Sequence, residues 1–269
     1  MAEPRTESSA PRVALFVTCM VDTLYPHVGL AAASVLERHG VDVVCPEAQT
    51  CCGQPAFNAG QRRHARTAAR HFLDVFHGLL ARHGVTAIVA PSGSCVAMIR
   101  HLYRVLFEEA EHDSERHRLQ EVSAVTYELT EYLVDVLGIE DTGARVPATL
   151  AYHPCCHLLR ELKVDTQPRR LLATVGDAHL VELPEADQCC GFGGIFAVQN
   201  AEISTAMGQR KAKNIAAAGA DYVVVNDVSC MTHLNGILSR EGSPSRAIHI
   251  AQVLAADDRL VPGGNPRDR

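Results

Sequence analysis

Tryptophan is absent from this 269-residue chain, and phenylalanine and tyrosine bring the aromatic share to only 5%. That leaves too few rings for a surface that stacks bases or sugars. Lysine is also scarce: 3 lysines stand against 22 arginines, the basic residues are spread along the chain, and the net charge is −6. A dedicated nucleic-acid binder is excluded on that balance. No apolar run reaches the roughly 18 residues that a membrane-spanning helix needs, so no integral membrane segment is expected. The opening stretch MAEPRTESSAPR has no apolar core of a secretory signal. Residues 1–11 therefore read as a disordered polar leader, residues 259–269 as a flexible tail, and the expected location is the cytoplasm. Also missing are a C-x2-C-x2-C ferredoxin run, a flavin fingerprint and a first-strand dinucleotide loop, so any electrons handled here must be exchanged with another protein.

What the chain has in excess is cysteine, ten residues in all. In a reducing compartment these point to metal binding or redox chemistry and not to a disulfide framework.

Periodicity predicts alternating strands and helices. Strands are expected at residues 13–17, 41–44, 85–90 and 122–126, with helices at 24–39, 56–83, 94–109 and 129–137 and a solvated polar helix face at 111–121. After a linker at 138–147 the order recurs, with strands near 149–152, 179–183, 222–226 and 247–250. Such alternation implies parallel sheets covered on both faces. The expected fold is α/β, an internal duplication of two parallel-sheet, Rossmann-like lobes related by a pseudo-two-fold axis, with lobes at residues 12–140 and 148–258.

The duplication is most visible around paired cysteines. Pro46-Glu47-Ala48-Gln49-Thr50-Cys51-Cys52-Gly53 aligns without gaps on Pro184-Glu185-Ala186-Asp187-Gln188-Cys189-Cys190-Gly191, with six identities in eight positions. Ser94-Cys95 matches Ser229-Cys230, and Cys19 matches Cys156. Two sets of four follow: Cys19, Cys51, Cys52 and Cys95; and Cys156, Cys189, Cys190 and Cys230. Cys45 and Cys155 align on Leu183 and Thr18 and read as buried packing thiols. In a parallel sheet the loops leaving the strand carboxyl ends share one edge, so cysteines 32 to 43 positions apart can meet there.

Four thiolates suit tetrahedral zinc or an iron–sulfur cluster. A vicinal pair presents diverging side chains, which favours a cluster with several irons and leaves zinc as the alternative. Gly53 and Gly191 leave room for backbone N–H groups near the sulfurs, and His153, His157 and His233 are candidates for hydrogen-bonding a bound group. Gly191-Phe192-Gly193-Gly194 lacks the Lys-Ser/Thr of a phosphate loop and reads as backbone room beside the cysteines.

The duplicated Cys-Cys-Gly motifs, each preceded by a cysteine after a strand and followed by a Ser-Cys element, resemble the cysteine-rich CCG domain family. Within it, the stretches PSGSCVAMIR and YHPCCHLLRELK look most like the lactate utilization protein A branch, over about residues 12–255. Relatives include the B subunit of heterodisulfide reductase and the iron–sulfur subunit of glycolate oxidase. The resemblance implies an iron–sulfur cluster, one or two per chain, and an electron-transfer component that helps oxidise L-lactate to pyruvate. It also implies partners, a ferredoxin-like iron–sulfur protein and a further lactate-utilization subunit. Some relatives end each motif in Cys-x-x-Cys, where this chain has Ser92 and Asp227, which favours an ordinary [4Fe-4S] cluster over a noncubane one. The alternatives are a heterodisulfide-reductase-like or glycolate-oxidase-type subunit, and a zinc-stabilised scaffold without turnover.

Overall fold

The computed structural model describes residues 10–108 and 113–256. The first lobe is built on β1 (Arg12–Leu15), β2 (Asp42–Val44), β3 (Ala87–Ala90) and β4 (Thr126–Glu128), all parallel, in the order β2-β1-β3-β4. The second repeats it with β5 (Thr149–His153), β6 (His179–Val181), β7 (Tyr222–Val225) and β8 (Arg246–His249), in the order β6-β5-β7-β8. Even the register is copied: Arg12 faces Asp42 as Thr149 faces His179, and Val13 faces Ala87 as Leu150 faces Tyr222.

Burial explains which residues make which strand. The inner strands β3 (AIVA) and β7 (YVVV) are buried along their whole length, because helices cover both faces of a parallel sheet. The edge strands β2 and β6 are half open and carry polar residues. In the first lobe Phe16 meets Phe72 and Phe76 edge-on at 4.9 and 5.5 Å, filling the space between sheet and helix Arg62–Arg82.

The lobes embrace reciprocally. Helix Pro26–Arg38, which follows β1, packs on helix Ile250–Ala255, which follows β8; helix Thr166–Ala173, which follows β5, packs on the turns after β4. Arg38 Nη2 donates to the Leu254 carbonyl at 2.7 Å across the first of these contacts. A pseudo-two-fold relation follows from the pairing.

Several elements differ from expectation. The helix expected at 24–39 begins earlier and breaks at Tyr25, giving Cys19–Leu24 and Pro26–Arg38, because Pro26 lacks the N–H that would continue the first segment. The helix expected at 56–83 is likewise two, Gln54–Asn58 and Arg62–Arg82, separated at Gly60. Residues expected to open a strand at Val122 instead complete helix Asp113–Ala124, since Leu119 and Val122 both turn inward. The strand starts only at Thr126, whose Oγ1 donates to the Val122 carbonyl at 2.7 Å. Ile250 likewise belongs to the last helix and not to β8. Cys45, expected at the end of a buried strand, is exposed just beyond the edge strand β2. Residues 1–9 of the expected leader, residue 109 at the end of the helix expected at 94–109, residues 111–112 of the polar stretch and the tail at 259–269 lie outside the described residues.

Candidate metal centre

Each set of cysteines is delivered by loops or helix starts at the carboxyl ends of β1 to β3, or of β5 to β7. Cys19 opens helix Cys19–Leu24, immediately after Thr18, whose φ of 72° is rare for a β-branched residue. Cys51 and Cys52 lie in the loop after β2, and Cys95 in the first turn of helix Gly93–Ala97. Cys156, Cys189-Cys190 and Cys230 repeat these places in the second lobe, Cys230 in helix Val228–Arg240.

The thiols within a set meet in pairs. Cys19 Sγ lies 3.6 Å from Cys51 Sγ, and Cys52 Sγ lies 3.4 Å from Cys95 Sγ. In the second lobe Cys190 Sγ and Cys230 Sγ are 3.1 Å apart, while Cys156 pairs with Cys189. The buried members are Cys52, Cys95, Cys190 and Cys230; Cys19, Cys51, Cys156 and Cys189 are half-buried. A vicinal pair thus divides its work, one thiol toward the rim and one toward the interior.

One thiol in each set is set up to ionise. Cys51 accepts hydrogen bonds from the thiols of Cys19 and Cys52 and from Gly53 N–H at 3.3 Å, which hold its pKa near 3. Cys189, with Cys156, Cys190 and Gly191 N–H at 3.4 Å, is held near 2. Their donors Cys19 and Cys156 are pushed up correspondingly, by that donated hydrogen bond first and by burial second.

The glycines are required by space as well as by hydrogen bonding. Gly191 has φ +96°, and a Cβ there would stand 2.6 Å from the Ser204 carbonyl oxygen; at Gly53, φ +84°, it would stand 3.0 Å from the Ala65 oxygen. The Cys-Cys-Gly loop therefore lies flat against the following long helix in both lobes. In the second lobe the buried Lys211 ammonium donates to the carbonyls of Glu185 and Ala186 at 2.6 and 3.2 Å; in the first, His71 Nε2 meets the Ala48 carbonyl at 2.7 Å. Residues far along the chain thus pin equivalent points of the two loops.

Both sets open onto one cleft. Cysteines of the two lobes line it together with Ser92, Ser94, Asp227, His157 and Phe192. At its floor Ser92 Oγ and Ser94 Oγ donate to Asp227 Oδ1 at 2.6 and 2.8 Å, and Ser94 N–H donates to Oδ2 at 3.2 Å. Burial pushes the Asp227 carboxyl up and these donors pull it back.

The three histidines singled out by sequence occupy different places. His157 lines the cleft, with Nδ1 3.7 Å from Cys156 Sγ. His233 Nε2 meets the Ser204 carbonyl at 3.2 Å, so that ring supports the Gly191 loop from behind. His153 is fully buried; Nδ1 faces the Ala186 carbonyl at 3.2 Å, and burial followed by the nearby Lys211 charge holds its pKa near 4. Cys155, read as a packing thiol, is buried but stands against Cys230. Its signal in the sequence was its adjacency to Cys156; the fifth thiol of the second set became visible only with the backbone path. Ten cysteines thus divide into a set of four, a set of five and the outlying Cys45.

Fold and site together define a duplicated α/β protein whose two thiol sets face a shared cleft, with soft donors and N–H groups that fit a sulfur-bound metal centre. Comparison with known proteins finds the same duplication. The cysteine-rich domain model CCG matches twice, at residues 13–100 and 150–235. Lactate utilization protein A of Geobacillus kaustophilus (strain HTA426) is 44% identical over 245 residues, covering 91% of this chain and 99% of that one. The protein of the same name from Bacillus pumilus (strain SAFR-032) is 41% identical over 243 residues, covering 90% and 98%. Among solved structures, a hypothetical protein from Helicobacter pylori shares the fold with TM-score 0.63 at 12% identity, over 90% of this chain and 48% of that one. The chain belongs to the cysteine-rich CCG domain family, in its lactate utilization protein A branch.

Proposed function

We propose that this chain is the iron–sulfur electron-transfer component of an L-lactate oxidation system working in the cytoplasm. The observation that carries the reading is the convergence of two corresponding thiol sets on one cleft. Cys19, Cys51, Cys52 and Cys95 would hold one [4Fe-4S] cluster, and Cys156, Cys189, Cys190 and Cys230 a second. Such a cluster takes up and releases one electron at a time.

The protein's own groups do the rest. Gly53 and Gly191 N–H groups aim at the sulfurs of Cys51 and Cys189, which favours the anionic thiolate that a metal needs. The cleft lining of thiols, hydroxyls and the Asp227 carboxylate suits sulfur-bound metal and disfavours a second carboxylate. Lactate itself is therefore assigned to a partner subunit, with a ferredoxin-like iron–sulfur protein as the electron partner; the name shared by the relatives supports the lactate assignment.

Iron and acid-labile sulfide analysis of anaerobically purified protein tests this reading. About eight irons per chain are expected for two four-iron clusters, and zinc without sulfide would overturn the assignment in favour of a scaffold. The isolated chain is expected not to oxidise lactate with an artificial dye, and to support turnover only when its partner subunits are added.

A further inference from the structure

The internal duplication allows the two thiol sets to be compared position by position, and they are not equal. Where the first lobe has Phe16, the second has His153; where the first has Thr18, the second has Cys155. Phe16 is wholly buried among the rings of Phe72 and Phe76 and has no polar atom to satisfy. His153 is equally buried but carries two ring nitrogens. Nδ1 faces the Ala186 carbonyl, an acceptor, so the ring proton sits there and Nε2 presents a lone pair. Among the described residues Nε2 has no hydrogen-bond partner. A buried polar atom left alone calls for an explanation, and its surroundings supply one. A ring nitrogen of His153 and the sulfurs of Cys190 and Cys230 all lie within 4.8 Å of one another.

We propose that the second thiol set forms a mixed nitrogen–sulfur metal centre in which His153 Nε2 is a direct ligand beside Cys190 and Cys230, whereas the first set is all thiolate. This rests on the reading above that the thiol sets hold metal. A carbonyl on Nδ1 is the usual outer partner of a metal-bound imidazole, fixing its tautomer and ring plane. The same Ala186 carbonyl is held by Lys211, so the histidine is positioned by the loop that carries Cys189 and Cys190. Cys155, against Cys230, gives the second set five thiols, one more than the first, so a nitrogen can take one ligand position in place of a thiolate. A neutral nitrogen in place of a thiolate removes negative charge from the metal, as it does in histidine-ligated two-iron centres. The second centre is therefore the easier of the two to reduce.

Two measurements on the full anaerobic chain separate this inference from the reading beneath it. Metal and sulfide analysis decides which element is held. Pulsed EPR of dithionite-reduced protein carrying 15N-histidine then asks about the ligand: a directly bonded 15N coupling is expected, lost in both His153→Phe and His153→Cys. His153→Cys should keep its full iron and lower the midpoint potential of one centre only, leaving the other unmoved. No 15N coupling in iron-loaded wild type would overturn the inference while leaving the electron-transfer reading intact. If analysis finds zinc without sulfide, that reading falls; zinc-edge X-ray absorption then decides, because a nitrogen scatterer at about 2.0 Å that disappears in His153→Phe supports the ligand and an all-sulfur shell overturns it. Protein that binds neither metal overturns both.

Discussion

Ser92 Oγ donates to Asp227 Oδ1 at 2.6 Å, and these two residues occupy the same position of the duplicated motif, three places before Cys95 and Cys230. Each is also the residue that precedes its own helix. Ser92 accepts the Cys95 N–H at 3.3 Å and so caps helix Gly93–Ala97 in the usual way. Asp227 caps nothing in its own helix; its carboxylate crosses the lobe boundary and accepts Ser94 N–H instead. The two thiol sets are thus tied at one point by a hydrogen-bonded pair that belongs to both.

That tie should be measurable as coupling. Ser92→Ala is expected to cost about 1–2 kcal/mol and Asp227→Ala about 2–4 kcal/mol, because the latter removes the acceptor of three donors, the buried Ser92 hydroxyl and the half-buried Ser94 hydroxyl and N–H. The double variant should cost less than the sum by about 1 kcal/mol or more. Denaturant unfolding of the four proteins checks it; simple additivity would mean that the bond contributes nothing to holding the lobes together.

The uneven ionisation of the thiols predicts an order of chemical modification in metal-stripped, reduced protein. Cys51 and Cys189 are thiolates near pH 6 and only half-buried, so iodoacetamide should label them first, at a rate nearly flat from pH 5 to 8. Cys45 is exposed, but burial of part of its thiol pushes its pKa up, so its labelling should rise steeply with pH. Peptide mapping by mass spectrometry reads the order, and first labelling at Cys52 or Cys190 would contradict the hydrogen-bond pattern.

Two serine substitutions separate ligand from bystander. Cys190→Ser replaces a soft donor at the centre of the second set and should remove one cluster's worth of iron. Cys45→Ser lies on the surface and should leave both iron content and stability unchanged, the latter within about 0.5 kcal/mol. Iron retained by the first variant and lost from the second would sink the proposed ligand set.

Acid should weaken the fold through a buried histidine away from the thiols. His249 has its pKa lowered from 6.5 to about 4 by burial, and its Nδ1 accepts Ala251 N–H at 3.1 Å as a helix cap. The unfolded chain binds this proton below pH 6.5 while the folded chain binds it only near pH 4, so stability is full above 6.5 and lost as pH falls toward 4. From pH 7 to 5 the loss from this group is about 2 kcal/mol. His249→Asn keeps a capping oxygen and should lose about that much less over the same interval, as read by urea midpoints. An unchanged pH dependence would show that His249 does not carry this linkage.

Much of the architecture was legible because it is local and repeated. Alternating apolar strands and helical stretches marked the parallel sheets, and the Pro-Glu-Ala…Cys-Cys-Gly repeat marked corresponding loops. Element ends were less legible. The helix Asp113–Ala124 ran through Val122 because an inward-facing valine fits a helix stripe as readily as a strand, and only packing against helix Arg62–Arg82 separates the two. Cys45 was misplaced for a related reason: an apolar strand reads as buried whether it lies at the centre or the edge of a sheet.

What the sequence by itself determined is the pairing of positions: Cys19 with Cys156, Cys51-Cys52 with Cys189-Cys190, Cys95 with Cys230, and Ser92 with Asp227. A duplication preserves such correspondences however the chain is folded. What only the tertiary structure decided is which copies meet. The reciprocal packing of helix Pro26–Arg38 on Ile250–Ala255, and of Thr166–Ala173 on the turns after β4, turns both carboxyl edges toward one cleft. It also sends Asp227 across to Ser94, and the path of β5 places His153 and Cys155 beside Cys190 and Cys230. Contacts of this kind depend on the orientation of one folded lobe against another, which arises from the summed burial of whole helix faces and not from any local pattern of residues.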